Sequence, residues 1–313
     1  MTIKSFLKLV EIQTKIASVF PFTIGILFVL LRYQELNIVN TLLFFVAMLL
    51  FDLATTAINN FMDYLKASTD TYRKTRNIIG QENISTKTVF VTIITLLVTA
   101  SSIGVVLSFR TDFFVLLIGV ICFAIGIFYT FGPIPLSRMP LGEVFSGMTM
   151  GFGIIFLAVY VNAYDQGIVH LGLDGPTLIF EANLLLLLEI FLIALPSVLT
   201  IANLMLANNI CDLEEDIYNH RYTLPYYIGK GVAVKLFNAL YVISFIAIIA
   251  SVIAEIVPSI VLLSLLAGYP VFKQVRLFNR KQEKAETFVV SVKNLVLVNG
   301  AVSLSFLLAL IIN

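Results

Sequence analysis

The chain has 313 residues, 59% of them hydrophobic and 12% charged, with a net charge of +1 and a mean hydropathy of +0.99. That balance excludes a single soluble domain, which would need far more polar surface around its core. The total charge says little, but its distribution along the chain says much more.

Apolar runs able to cross a hydrocarbon layer of roughly 30 Å recur throughout; each needs about 20 residues as helix. In chain order they are Ile16 to Leu31, Ile38 to Asn59, Val89 to Phe109, Phe113 to Phe131, Val144 to Val161, Leu184 to Leu206, Leu236 to Ala254, Ile256 to Val271 and Phe288 to Ile312. They lack the short alternation of membrane barrel strands. They also lack the polar stripe that helices of a soluble bundle would show. The sequence therefore predicts an all-α, polytopic integral membrane protein with nine transmembrane helices. A single domain over residues 1–313 is expected, without linkers or low-complexity tracts. The first span follows a charged, amphipathic opening and precedes eight more, so it reads as an anchor and not as a cleaved signal. Cys122 and Cys211 lie inside or at the end of apolar segments, where packing is their ordinary role.

Numbering the spans in order puts only Arg32 and Arg110, of 20 Lys and Arg residues, on one side, leaving 18 on the other. The positive-inside rule then places the N-terminus and the long basic connections in the cytoplasm and Asn313 outside. Lys4, Lys8, Glu35, Asp112 and Glu255 read as solvated caps or topology signals.

Two polar clusters echo one another. Asn59-Asn60-Phe-Met-Asp63 ends the second span and Asn208-Asn209-Ile-Cys-Asp212 ends the sixth; the first runs on to Asp70, the second through Glu214 and Glu215 to Asp216. Asn59 and Asp63 are four apart, as are Asn208, Asp212 and Asp216, so each set lines one helix face. Carboxylates stacked near a helix C-terminus repel one another and oppose the helix dipole, so a cation should offset them. Hard oxygen donors with an incomplete shell suit Mg²⁺ together with a phosphorylated substrate. His170 and His220 and the two cysteines are too scattered for zinc. Lys66, Arg73, Lys74 and Arg76 follow the first cluster, and Arg221 and Lys230 the second, as candidate phosphate donors. A diphosphate held by two Mg²⁺-bearing clusters becomes a good leaving group, and the membrane helices can accommodate a long apolar tail, which suggests prenyl transfer. Glu214 and Glu215 read equally as loop surface or as part of the site.

These motifs resemble those of the UbiA-type membrane prenyltransferases, and within them the 1,4-dihydroxy-2-naphthoate polyprenyltransferase branch. The second motif continues into Arg221-Tyr-Thr223-Leu224 and Gly229, and a third stretch, Tyr129-Thr130-Phe-Gly132-Pro133-Ile-Pro135-Leu136 with Leu141-Gly142-Glu143, also matches that branch. The chain departs from the branch at Asn60, often Asp there, at Cys211, commonly Arg, and at Asn219-His220, commonly Gly-Lys. The resemblance covers roughly residues 10–300 and implies nine helices around a central cavity with a polar cytoplasmic cap.

The implied reaction is Mg²⁺-dependent transfer from polyprenyl diphosphate to the aromatic acceptor, with loss of CO₂, giving demethylmenaquinone. Asn59, Asp63, Asp70, Asn208, Asp212 and Asp216 would hold Mg²⁺, and Lys66, Arg73, Arg221 and Lys230 the diphosphate. Tyr64 and Tyr129 would face the allylic cation, Glu143 is the candidate base, and the 64–88 and 213–231 loops would exclude water. Membrane lipid is the expected surrounding; neither nucleic acid nor an obligate protein partner is expected. The same chemistry on 4-hydroxybenzoate, homogentisate, haem or a chlorophyll precursor stays open. A polyprenyl phosphate or alcohol phosphotransferase fits the paired Asn-Asn-x-x-Asp clusters, four spans apart, poorly; a cation-coupled transporter fits less well because the acidic groups sit at helix ends and the midplane stretches are almost purely apolar.

Overall fold

The computed structural model describes residues 1–67, 73, 75, 77–130 and 136–312. Among them, eight helices are long and apolar enough to span a membrane: Ile12–Tyr33, Ile38–Lys66, Thr86–Arg110, Gly142–Ala163, Leu184–Cys211, Lys230–Ile253, Ser259–Arg280 and Val289–Ile312. A shorter apolar helix, Phe113–Tyr129, falls where the remaining span is predicted. Every predicted span thus overlaps a helix, and the protein is an integral membrane protein. We refer to Ile38–Lys66 as α1, Thr86–Arg110 as α2, Gly142–Ala163 as α3, Leu184–Cys211 as α4 and Val289–Ile312 as α5.

The helices form because their polar groups are satisfied locally. Ser85 accepts a hydrogen bond from the Thr88 amide to start α2, and Asn183 accepts from the Leu185 and Leu186 amides to start α4. Within α2, the hydroxyls of Thr92, Thr95, Thr99, Ser101 and Ser102 each donate to the carbonyl four residues earlier, which removes the cost of carrying them into lipid. The same helix exposes Phe90, Val91, Ile94 and Val98, an apolar outer face suited to acyl chains and not to water.

The chain groups into two compact units, Met1–Ser18 with Ile38–Pro135, and Val19–Asn37 with Leu136–Asn313. In the first, Leu9, Val10, Leu53, Ala54, Ala57, Ile79, Val89 and Ile93 form one core. Beside it, Lys15 Nζ donates to Asp52 Oδ1 at 2.6 Å, to the Asp52 carbonyl at 3.1 Å and to Thr56 Oγ1 at 2.6 Å. Ser18 Oγ donates to the other Asp52 oxygen at 2.6 Å, which completes a buried polar knot inside α1.

In the second unit, α3 and α4 meet through glycine. The seven residues Gly147–Gly153 are wound as a π-helix. A Cβ built on Gly151 would lie 2.5 Å from Val198 Cα, and one on Gly147 2.8 Å from the Val198 carbonyl. Backbone packs on backbone here, the small-residue contact that joins helices in lipid. Gly151→Ala is therefore expected to cost about 1–3 kcal/mol, because the helices must part to admit a methyl group. Gly104→Ala, in open space on α2, should be neutral within about 0.5 kcal/mol, apart from the small helix-propensity gain of alanine. Thermal midpoints of the two variants in one detergent would separate the cases, and equal midpoints would contradict the close contact.

A feature the sequence reading passed over is an antiparallel hairpin, Val169–Asp174 with Thr177–Ala182. Its two-residue loop begins with Gly175 at φ 56°, a conformation that favours glycine at the first position of such a turn.

Candidate active site

Each Asn-x-x-x-Asp motif lies at the C-terminal end of a long apolar helix. Asn59 and Asp63 occupy the last two turns of α1, which stops at Lys66; Asn208 lies in the last turn of α4, and Asp212 follows its last residue, Cys211. Both helix ends carry unsatisfied carbonyls and a partial negative charge, so the carboxylates add like charge to like. The sequence places cations nearby, and the structure shows how several are used.

In the first unit Asn60 is an anchor. Its Nδ2 donates to the Leu9 carbonyl at 2.9 Å and to Glu11 Oε1 at 3.2 Å, while Asn77 Nδ2 donates back to the Asn60 carbonyl at 2.9 Å. Arg73 donates through Nε to the Tyr64 carbonyl at 3.2 Å and through Nη2 to the Ala67 carbonyl at 3.1 Å. Its guanidinium thus caps the end of α1, a use that the charge count could not distinguish from phosphate binding. Tyr64 packs on the hydrophobic core, while Asp63 and Lys66 are exposed. Tyr129 is half-buried at the end of the short apolar helix. Asp70, Lys74, Arg76, Gly132, Pro133 and Pro135 lie outside the described residues.

The second unit gathers more of the expected set. Lys284 Nζ donates to Asn208 Oδ1 and, at 2.5 Å, to Asp212 Oδ2. Asp216, on the short helix Leu213–Tyr218, is 4% exposed and forms an ion pair with Arg221, whose Nε lies 3.5 Å from Oδ1, and the Thr223 hydroxyl donates to its other oxygen at 3.5 Å. Burial raises the Asp216 carboxyl above the usual range, the Arg221 charge pulls it back, and Asp212 pushes it up again. Glu214, Glu215 and Lys230 are exposed.

Glu143 starts α3 and is 5% exposed. Asn209 Nδ2 donates to its Oε1 at 2.9 Å. Among the described residues, Glu143 Oε2 and Asn209 Oδ1 are buried acceptors without a hydrogen-bond partner. Two adjacent buried acceptors of this kind suit a ligand that brings hydroxyl donors. The doubled Asn-Asn of both motifs was the sequence signal for Asn209, although the reading assigned that residue no role.

Among the described residues, no three Asp, Glu, His or Cys side chains converge as a ready-made metal centre. At the second motif an amide and a carboxylate oxygen, from Asn208 and Asp212, converge on the Lys284 ammonium. This pair fits Mg²⁺, which takes few protein oxygens and completes its shell with water and substrate phosphate.

The geometry defines a polytopic helical membrane protein with acid–amide motifs at two helix ends. The chain belongs to the UbiA prenyltransferase family, whose profile matches residues 18–311. It is 26% identical over 243 residues to the 1,4-dihydroxy-2-naphthoate octaprenyltransferase of Bacillus subtilis (strain 168), covering 77% of this chain and 71% of that one. Its fold is similar to a structure of digeranylgeranylglyceryl phosphate synthase in membranes, with a TM-score of 0.66, 18% identity and 99% of each chain covered. It is also similar to a UbiA homolog from Archaeoglobus fulgidus bound to DMAPP and Mg²⁺, with a TM-score of 0.62 and 13% identity over 96% of this chain and 99% of that one. A third similar fold is the apo UbiA homolog from Aeropyrum pernix K1, with a TM-score of 0.65 and 16% identity over 94% of this chain and 97% of that one.

Proposed function

We propose that the protein transfers a polyprenyl group from polyprenyl diphosphate to 1,4-dihydroxy-2-naphthoate, releasing diphosphate and CO₂ and forming the hydroquinone of demethylmenaquinone, which a separate two-electron oxidant such as dioxygen converts to the quinone. The observation that carries this reading is the repeated Asn-x-x-x-Asp pattern at the ends of two long apolar helices, Ile38–Lys66 and Leu184–Cys211. Family membership and the similarity to a naphthoate prenyltransferase support it.

In this mechanism Asn59, Asp63 and Asp70, and Asn208, Asp212 and Asp216, are the metal ligands. When bound, Mg²⁺ neutralises charge that develops on the departing diphosphate. Lys66, Arg73, Arg221 and Lys230 hold diphosphate oxygens. The prenyl C–O bond breaks with its electron pair leaving on diphosphate; the acceptor ring supplies the pair for the new C–C bond, and its carboxyl group departs as CO₂. The ring faces of Tyr64 and Tyr129 stabilise the allylic cation by about 0.5 to 2 kcal/mol each. Glu143, whose Oε2 has no partner among the described residues, takes up a hydroxyl proton from the acceptor and raises the electron density of the ring. Residues 64–88 and 213–231 keep water from the cation, which would otherwise be lost as prenol. The N-terminus and these loops are cytoplasmic, the C-terminus is outside, and the membrane is a bacterial cell membrane.

The test is product formation by the purified protein in lipid, with Mg²⁺, a prenyl diphosphate, and 1,4-dihydroxy-2-naphthoate in competition with 4-hydroxybenzoate. A decarboxylated prenyl-naphthoquinol, or the quinone that air forms from it, is the expected product by mass, and it should disappear with EDTA. Prenylation of 4-hydroxybenzoate alone would retain the mechanism and overturn the acceptor.

A further inference from the structure

The connection before α5 folds tightly on itself. Lys281 Nζ pairs with Glu283 at 2.8 Å and Glu286 at 3.0 Å. The Glu283 amide donates to the Thr287 hydroxyl at 2.9 Å, and the Thr287 amide donates to the Glu283 carbonyl at 2.9 Å. This turn presents Lys284 to the end of α4, where its ammonium bridges Asn208 Oδ1 and Asp212 Oδ2 and lies 5.0 Å from the centre of the Phe288 ring.

The two oxygens that Lys284 occupies are the same amide and carboxylate that make the second motif a cation site. An ammonium and a divalent metal cannot share them, because both need close contact with those lone pairs and repel one another. The Lys284 and Asp212 side chains are 47% and 23% exposed, so water reaches the pair and it can exchange. The Lys15–Asp52 pair, at 5% and 14%, is buried by comparison.

We propose that Lys284 is a tethered counter-ion that competes with a divalent cation for Asn208 and Asp212, so that metal reaches this motif only by displacing the ammonium. The inference rests on Asn208 and Asp212 being metal ligands, as in the function proposed above. Lys284 thereby sets the metal concentration at which the second motif fills, a role that the sequence reading, which used this lysine only for topology, did not assign.

Mn²⁺ binding to the full-length protein in detergent, followed by electron paramagnetic resonance without prenyl diphosphate, tests the competition. Lys284→Met is expected to tighten the Mn²⁺ site that Asp212→Asn removes by about fivefold, and Lys284→Arg, which keeps the charge, to leave it near wild type. Tightening, or the appearance of a bound Mn²⁺ that wild type lacks, supports the proposal. Unchanged or weaker binding in Lys284→Met overturns it while Asp212→Asn still loses the metal. Undiminished binding in Asp212→Asn would instead overturn the metal-ligand assignment itself. A thermal midpoint of metal-free Lys284→Met close to wild type is expected and shows that the variant is folded.

Discussion

Replacing Asp212 with asparagine is expected to lower prenyl transfer by about 100- to 1000-fold, the range typical of removing one group that stabilises charge in a transition state. The substitution keeps the shape of the side chain and removes one negative charge from the oxygens that hold Lys284. Its structural cost should be small, because a half-exposed ion pair contributes only about 0–1 kcal/mol to stability. The same reasoning applies to Asp63→Asn at the end of α1. Initial rates at saturating Mg²⁺, set beside thermal midpoints, separate chemistry from folding. A rate within threefold of wild type, in a folded protein, would remove Asp212 from the metal set.

Breaking the Lys15–Asp52 knot should have the largest effect on stability. Asp52 carries a charge in the middle of an apolar helix, and both its oxygens are taken, one by Lys15 and one by Ser18. Lys15→Met leaves a buried carboxylate without its counter-charge, and such losses cost about 3–5 kcal/mol. The double variant Lys15→Met with Asp52→Leu removes both charges and is expected to recover most of that loss. Denaturant or detergent titration of the singles and the double gives the comparison. If the double variant is as unstable as Lys15→Met, the pair contributes through packing and not through charge.

The helices were legible because lipid demands long uninterrupted apolar runs, and no other element leaves so plain a trace. Their ends were less so: α1 extends to Lys66, seven residues past the predicted Asn59, because Arg73 caps its carbonyls from outside the apolar run. The hairpin after α3 escaped because it lies between two predicted spans, outside the long apolar runs, although Gly175-Pro176 marks a turn. The nearness of Asn208 to Asp212 was legible because spacing by four is visible in sequence. That of Lys284 was not, since its link to Asp212 crosses 72 residues and depends on how one turn folds. Asp52 left a signal that went unused, a lone carboxylate inside a predicted span, where a buried partner should have been sought.

The glycine contact between α3 and α4 has a consequence for the carboxylate at the start of α3. Glu143 lies four residues before Gly147, and Asn209 eleven after Val198, so the same two helices that touch backbone to backbone also carry the Glu143–Asn209 bond. A slide of one residue along the axis, about 1.5 Å, would pull that bond apart. The glycine seam acts as a ratchet stop: it fixes the sliding position of the two rods and leaves Glu143 with little freedom to wander. The aim of this acid is therefore decided by two residues that possess no side chain, about one and two turns along the helix from it.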